Sequence, residues 1–164
     1  MIVPWVDHSR RRLGPIPEQV WRDPYMIGFL AMLITLAARN RTDNLIADEA
    51  LGLVQLQVWG DITGVADSEI GEAITLLSTS RNVEFGAGCE NALKFLQLSD
   101  GAPDPSDPDI AELYEMPEFQ TGTGPDPLPG FDRGAGPGGL IAAALWQRYF
   151  EAHIPETGAA WSFH

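Results

Sequence analysis

Apolar positions crowd together between Tyr25 and Ala38, a run of fourteen in which only Thr35 breaks the polarity. Asp23 stands before it as an N-cap and Pro24 suits a first helical turn, so the pattern predicts a helix over Tyr25–Arg39. Ile27, Phe29, Leu30, Met32, Leu33, Ile34 and Leu36 cover nearly the whole circumference, which predicts burial on most sides. A small domain can bury such a helix only by wrapping other helices around it or by using a partner's surface. Gly28 costs about 1 kcal/mol relative to Ala in a helix interior, and its place there points to close approach of another backbone. A spanning helix needs about 20 apolar residues, so this run is expected in a core and not across a membrane.

Downstream, Asp43 or Asn44 can cap a second helix over about Leu45–Trp59, with Leu45, Ile46, Leu53, Leu56 and Trp59 on a broad apolar face and Gly60 as its stop. Asp67 or Ser68 opens a third, carrying Ile70, Ala73, Ile74 and Leu77. Asp48, Glu49, Glu69 and Glu72 fall in the early turns of these helices, where the helix dipole favours negative charge. Arg81–Phe85 reads as a short strand, which makes no sheet by itself. A fourth helix is expected over Cys89–Leu98 with Ala92, Leu93, Phe95 and Leu96 inward. A last one is expected over Leu140–His153, with Leu140, Ala144, Leu145 and Tyr149 on one side and Pro155 at its end.

Two stretches break the periodicity. Residues 1–24 hold Pro4, Pro15, Pro17 and Pro24, with Trp5 and Trp21 between them and the triplet Arg10, Arg11, Arg12, and read as an extended arm. From Asp100 to Asp132 there are nine acids and no basic residue, and eight prolines lie between Pro103 and Pro137. Each proline fixes φ and lacks an amide donor, so an extended, hydrated arm is expected there. The glycines Gly134, Gly136, Gly138 and Gly139 read as a hinge. The organisation expected is therefore mainly α, a small domain of four or five helices. It comprises an N-terminal arm (1–24), a helical core (25–99), an acidic Pro/Gly-rich arm (100–139), a helix returning to the core (140–154) and a tail (155–164).

Composition narrows the chemistry. The 164 residues and 45% apolar content suit one globular domain. A net charge of -13 argues against direct binding to a nucleic-acid backbone and favours basic partners. Nine of the ten basic residues are Arg, the mark of a GC-rich genome more than of a function. One cysteine, Cys89, excludes an intramolecular disulfide and Cys-pair metal motifs. The N-terminal residues lack the basic and apolar regions of a secretory signal, so a cytoplasmic site of synthesis is expected.

No catalytic or cofactor motif emerges. Cys89 follows Gly86-Ala87-Gly88 at an expected helix N-terminus, a setting that lowers a thiol pKa, but no base is placed beside it and a structural role is expected. His8, His153 and His164 have no metal-ligand spacing. Asp104, Asp107, Asp109 and Glu112 offer oxygen ligands without the order of a calcium loop. The glycine cluster lacks the Lys-Ser/Thr of a phosphate loop.

What remains are aromatic residues outside the expected helices: Trp5, Tyr114, Phe119, Phe131, Trp161 and Phe163. Spaced along extended segments, they would anchor in pockets on a partner or on the chain's own body. The expectation is a non-enzymatic structural or assembly protein. It would bind neighbouring subunits, its own copies or others, through its arms as part of an oligomer, and a capsid-stabilising, connector or tail component of a virion is one example. The alternatives are an acidic inhibitor or DNA mimic docking on a basic partner, and a small enzyme with no familiar motif. No cofactor, metal or membrane contact is expected.

Overall fold

The computed structural model describes residues 2–64, 69–100, 104–131 and 137–155. The positions Asp67, Ser68, Gly134, Gly136, Trp161 and Phe163 lie outside them. Among the described residues the protein is mainly helical and has no strand. Its α-helices are α1 (Ile2–Leu13), α2 (Pro24–Arg41), α3 (Asp48–Thr63), α4 (Ile70–Thr79), α5 (Val83–Asp100), α6 (Pro108–Glu115), α7 (Pro117–Thr121) and α8 (Pro137–Tyr149).

The central helix forms as its sequence predicts. Asp23 Oδ1 accepts from Met26 N at 3.1 Å, Pro24 occupies the first turn, and every residue from Tyr25 to Ala31 is buried. Its main neighbour is α5, and glycines set the distance between the two. A methyl on Gly28 would fall 2.2 Å from the Phe85 carbonyl oxygen, and one on Gly88 would fall 2.2 Å from that of Tyr25. Only hydrogen fits at either point, so the close approach predicted from Gly28 is real.

The short strand predicted over Arg81–Phe85 is instead a turn at Arg81, with φ 52°, followed by the first turn of α5 from Val83. Asn82 Oδ1 accepts from Phe85 N at 2.9 Å and starts the helix, so Gly86 and Gly88 are interior residues and not helix breakers. The second helix also begins and ends later than predicted. Asp43 and Asn44 adopt φ of 49° and 62°, Ala47 holds the N-cap position, and Gly60 is helical. Gly64, at φ 72°, makes the left-handed C-cap that Gly60 was expected to supply.

Helix α8 lies against α5 and closes an aromatic core. Trp146 stacks on Phe150 at 4.4 Å between centroids and meets Phe95 at 5.7 Å and Trp5 at 5.6 Å. Trp5 meets Phe95 edge-on at 5.4 Å, one of the arrangements favoured by the ring quadrupole.

Trp5 belongs to a helix, which corrects the expected N-terminal arm. Pro4 falls in the first turn of α1, where amide groups have no intrahelical acceptor, so it costs the helix nothing. Ile2, Trp5, Val6 and Ser9 form a buried stripe at helical spacing. A buried polar node ties α1 to the far end of α8. Trp146 Nε1 donates to Ser9 Oγ at 2.8 Å, Ser9 Oγ donates to Glu151 Oε1 at 2.7 Å, and Arg12 pairs with the other Glu151 oxygen.

The acidic segment is corrected in the same way where α6 and α7 form, over residues 108–121. Pro108 and Pro117 stand at the start of α6 and α7, where a preset φ helps and a missing donor is harmless. Asp107 caps α6, its Oδ1 accepting from Asp109 N at 2.9 Å. Ile110, Leu113 and Leu128 are buried, so the acidic segment contributes to the core.

Candidate functional site

Helices α3 and α4 bury few of their apolar residues. Between Asp48 and Thr63 only Leu51, Trp59 and Ile62 are buried, and between Ile70 and Thr79 only Ile70 is. Positions 49, 52, 53, 56 and 59 recur at helical spacing and form one side of α3. That side faces Ile70, Gly71 and Ile74 of α4 across a groove of about 480 Å³, with Ala31 and Ile34 of α2 also lining it. Leu53 is 69% exposed and Leu56 41% exposed beside this groove. A methyl on Gly52 or Gly71 would meet nothing within 4 Å. Among the described residues, Glu49 is the only ionisable side chain in the lining.

The opposite side of α3 borders a second apolar groove, of about 290 Å³, shared with α1 and α2. Ile2, Val3, Ile34, Val54 and Val58 line it, with Arg41 the one ionisable side chain among the described residues. Here α1 already leans on α3, and Arg10 donates from Nη2 to the Ile62 carbonyl in the last turn of α3. A cation at a helix C-terminus meets both a free carbonyl and the negative end of the dipole.

A charged cluster joins α5, α6 and α8. Lys94 Nζ lies 2.5 Å from Asp109 Oδ2 and 3.0 Å from Asp107 Oδ1, and Arg148 reaches Glu112 at 2.5 Å and Asp109 at 3.3 Å. Tyr149 Oη donates to Asp109 Oδ2 at 2.5 Å. The hydrogen bonds from Lys94 and Tyr149 hold the Asp109 carboxyl below its ordinary range. Burial works to lower the Lys94 pKa, but its bonds to Asp109 and Asp107 outweigh this and raise it. Burial and the Asp109 carboxylate both push Tyr149 upward. This cluster is a latch that holds α6 on α5 and α8.

The same geometry places the acids considered for calcium. Asp107 and Asp109 face Lys94, and Asp104 accepts from Ser106 N at 2.8 Å in a local turn. Among the described residues no three His, Cys, Asp or Glu side chains gather as a metal site. Cys89 lies well inside α5 and not at its start, with its thiol 3.5 Å from the Gly28 carbonyl. Burial first, then Glu90, raise its pKa. His153 stacks on Tyr25 at 3.7 Å, and burial lowers its pKa. Among the described residues no helix is long and apolar enough to cross a membrane.

Of the aromatic anchors expected from sequence, Trp5 is 1% exposed in the core. Phe131 lies 5.9 Å from its ring, and Phe119 packs partly buried against the core. Their pockets are on this chain. Tyr114 is exposed, while Trp161 and Phe163 lie outside the described residues. The exposed leucines of α3 were missed as a site because an apolar helical face reads as core. The available signal was that residues 42–80 contain seven acids and not one Lys, Arg or His.

Compared with known protein families, curated proteins and solved structures, the chain has no match.

Proposed function

We propose that the chain is a non-enzymatic assembly protein that binds a protein partner through the open face of α3 and α4. The observation that carries this reading is Leu53 and Leu56 left in solvent beside an apolar groove, in a chain that buries Trp5, Phe29, Phe95, Trp146 and Phe150 completely or almost so. Single exposed leucines are ordinary. A set of them around a concave apolar floor is the usual form of a protein-binding surface.

This moves the contact from the arms to the helical body, because Trp5, Phe119 and Phe131 pack on their own chain. A capsid-stabilising, connector or tail component of a virion is one concrete instance of such a role. A phosphate mimic would need carboxylates at the centre of its contact surface, whereas this centre is aliphatic. A small enzyme using this groove would need several titrating groups in it, whereas among the described residues it holds Glu49 alone.

The test compares the wild-type chain with a Leu53→Ser/Leu56→Ser variant in affinity capture from native lysate and in sedimentation. Both substituted residues are solvent-facing, so folding should be retained and is checked by circular dichroism. Loss of a specific retained protein, or of self-association, supports the reading. Identical capture and identical sedimentation overturn it.

A further inference from the structure

We infer that the partner element seated in the α3–α4 groove is a basic amphipathic helix. The inference rests on the assembly reading above and adds the partner's chemistry. Its first ground is charge. Asp48, Glu49, Asp61, Glu69 and Glu72 are all exposed on α3, on α4 or at the start of α4, and neither helix contains a basic residue. Glu49 lines the groove itself. A second copy presenting the same face would set carboxylates against carboxylates, and a partner rich in Lys or Arg would be drawn in.

The second ground is shape. From Glu49 to Trp59 the groove follows α3 for about 15 Å at 1.5 Å per residue. That length accepts roughly three turns of helix, with apolar anchors at i, i+3 or i+4, and i+7. Gly52 and Gly71 leave the floor open on both walls, where anchor side chains can sink.

The third ground is internal. One end of a basic amphipathic helix already touches α3. Helix α1 packs Trp5 on Phe95 and Trp146, but its Ile2 and Val3 share a groove with Val54 and Val58 of α3, and its Arg10, in the Arg10–Arg12 triplet of its last turn, donates to the Ile62 carbonyl. The open groove offers the other side of the same acidic helix.

The experiment titrates the full chain with three fluorescent 18-residue peptides that share one leucine face and carry Lys, Gln or Glu on the other. Fluorescence anisotropy is read at low salt and at physiological salt. The Lys peptide should bind at least tenfold more tightly than the Gln peptide and lose affinity with salt, and the Glu peptide should not bind. Leu53→Ser/Leu56→Ser should weaken the Lys peptide about tenfold, and Asp48→Asn/Glu49→Gln should reduce the salt dependence.

Equal binding of the Gln or Glu peptide overturns the basic character of the partner. Unchanged binding of the Lys peptide to the leucine variant overturns the site. A wild-type dimer that the leucine variant converts to monomer names a second copy as the occupant and overturns the inference. If lysate capture depends on Leu53 and Leu56 while no peptide binds, the assembly reading stands and the basic helix falls.

Discussion

Replacing Gly88 by Ala tests the crossing of α2 and α5 on which the core depends. The added methyl would lie 2.2 Å from the Tyr25 carbonyl oxygen and 2.7 Å from Phe29 N, both backbone atoms that no rotamer change can move away. Restoring an ordinary contact of about 3.4 Å requires the helices to part by roughly 1.2 Å, which loosens Phe29 against Phe95 and Trp146. Overpacking costs typically about 1–3 kcal/mol, and a rigid clash belongs at the upper end. Ala returns about 1 kcal/mol of helix propensity, so the net loss should be about 2 kcal/mol. For a chain of this size that lowers Tm by about 4–8 °C.

Gly86→Ala is the matched control. It lies one half-turn away on the same helix, and a methyl there meets nothing within 4 Å. It should gain up to about 1 kcal/mol from propensity alone, a rise of about 2–4 °C. Both are read by thermal and urea unfolding followed through tryptophan fluorescence. A Gly88→Ala chain at least as stable as wild type, or a Gly86→Ala chain that falls as far, would refute the assignment of these glycines to a backbone contact. Gly28→Ala combined with Gly88→Ala should cost less than the sum of the single changes, because one parting of the helices relieves both clashes.

Ile110→Ala should destabilise by about 2–5 kcal/mol if α6 is part of the cooperative core, whereas a hydrated arm would yield under about 0.5 kcal/mol; urea unfolding decides. Asp109 is depressed in the folded chain, so the stability it contributes is present above its ordinary pKa of 3.8 and lost as pH falls through the lower folded value. Asp109→Asn should therefore flatten the acid limb of the urea midpoint against pH, and an unchanged limb would contradict the latch. Tyr149 is shifted the other way, first by burial and then by Asp109. The folded chain keeps this proton above pH 10.0 where the unfolded chain releases it, and stability falls as pH rises. Tyr149→Phe should remove that alkaline loss, measured as the urea midpoint between about pH 9 and pH 11.

Much of the helical body was legible without coordinates. The Tyr25–Ala38 run, the Asp23 cap and Pro24 together required α2, since cap chemistry and all-round apolarity are properties of neighbouring residues. Gly28 signalled a backbone contact because a helix interior tolerates glycine poorly unless something occupies the space a methyl would take. What misled was punctuation. Pro4, Pro108 and Pro117 read as evidence against helix, yet each stands in a first turn, where a missing donor is harmless. Gly86 and Gly88 read as preceding a helix that starts at Cys89, although both lie inside α5, where α2 passes within contact of Gly88.

The acidic excess, the single thiol without a placed base and the helical class were determined by sequence alone, because composition and local periodicity carry them. Which apolar residues are buried was decided only in three dimensions. Trp5 and Leu53 are both large apolar residues at helical spacing, but Trp5 meets Phe95 and Trp146, brought from ninety or more positions away, and Leu53 meets solvent. Local pattern gives a helix an apolar face; only the positions of distant helices determine whether that face is covered.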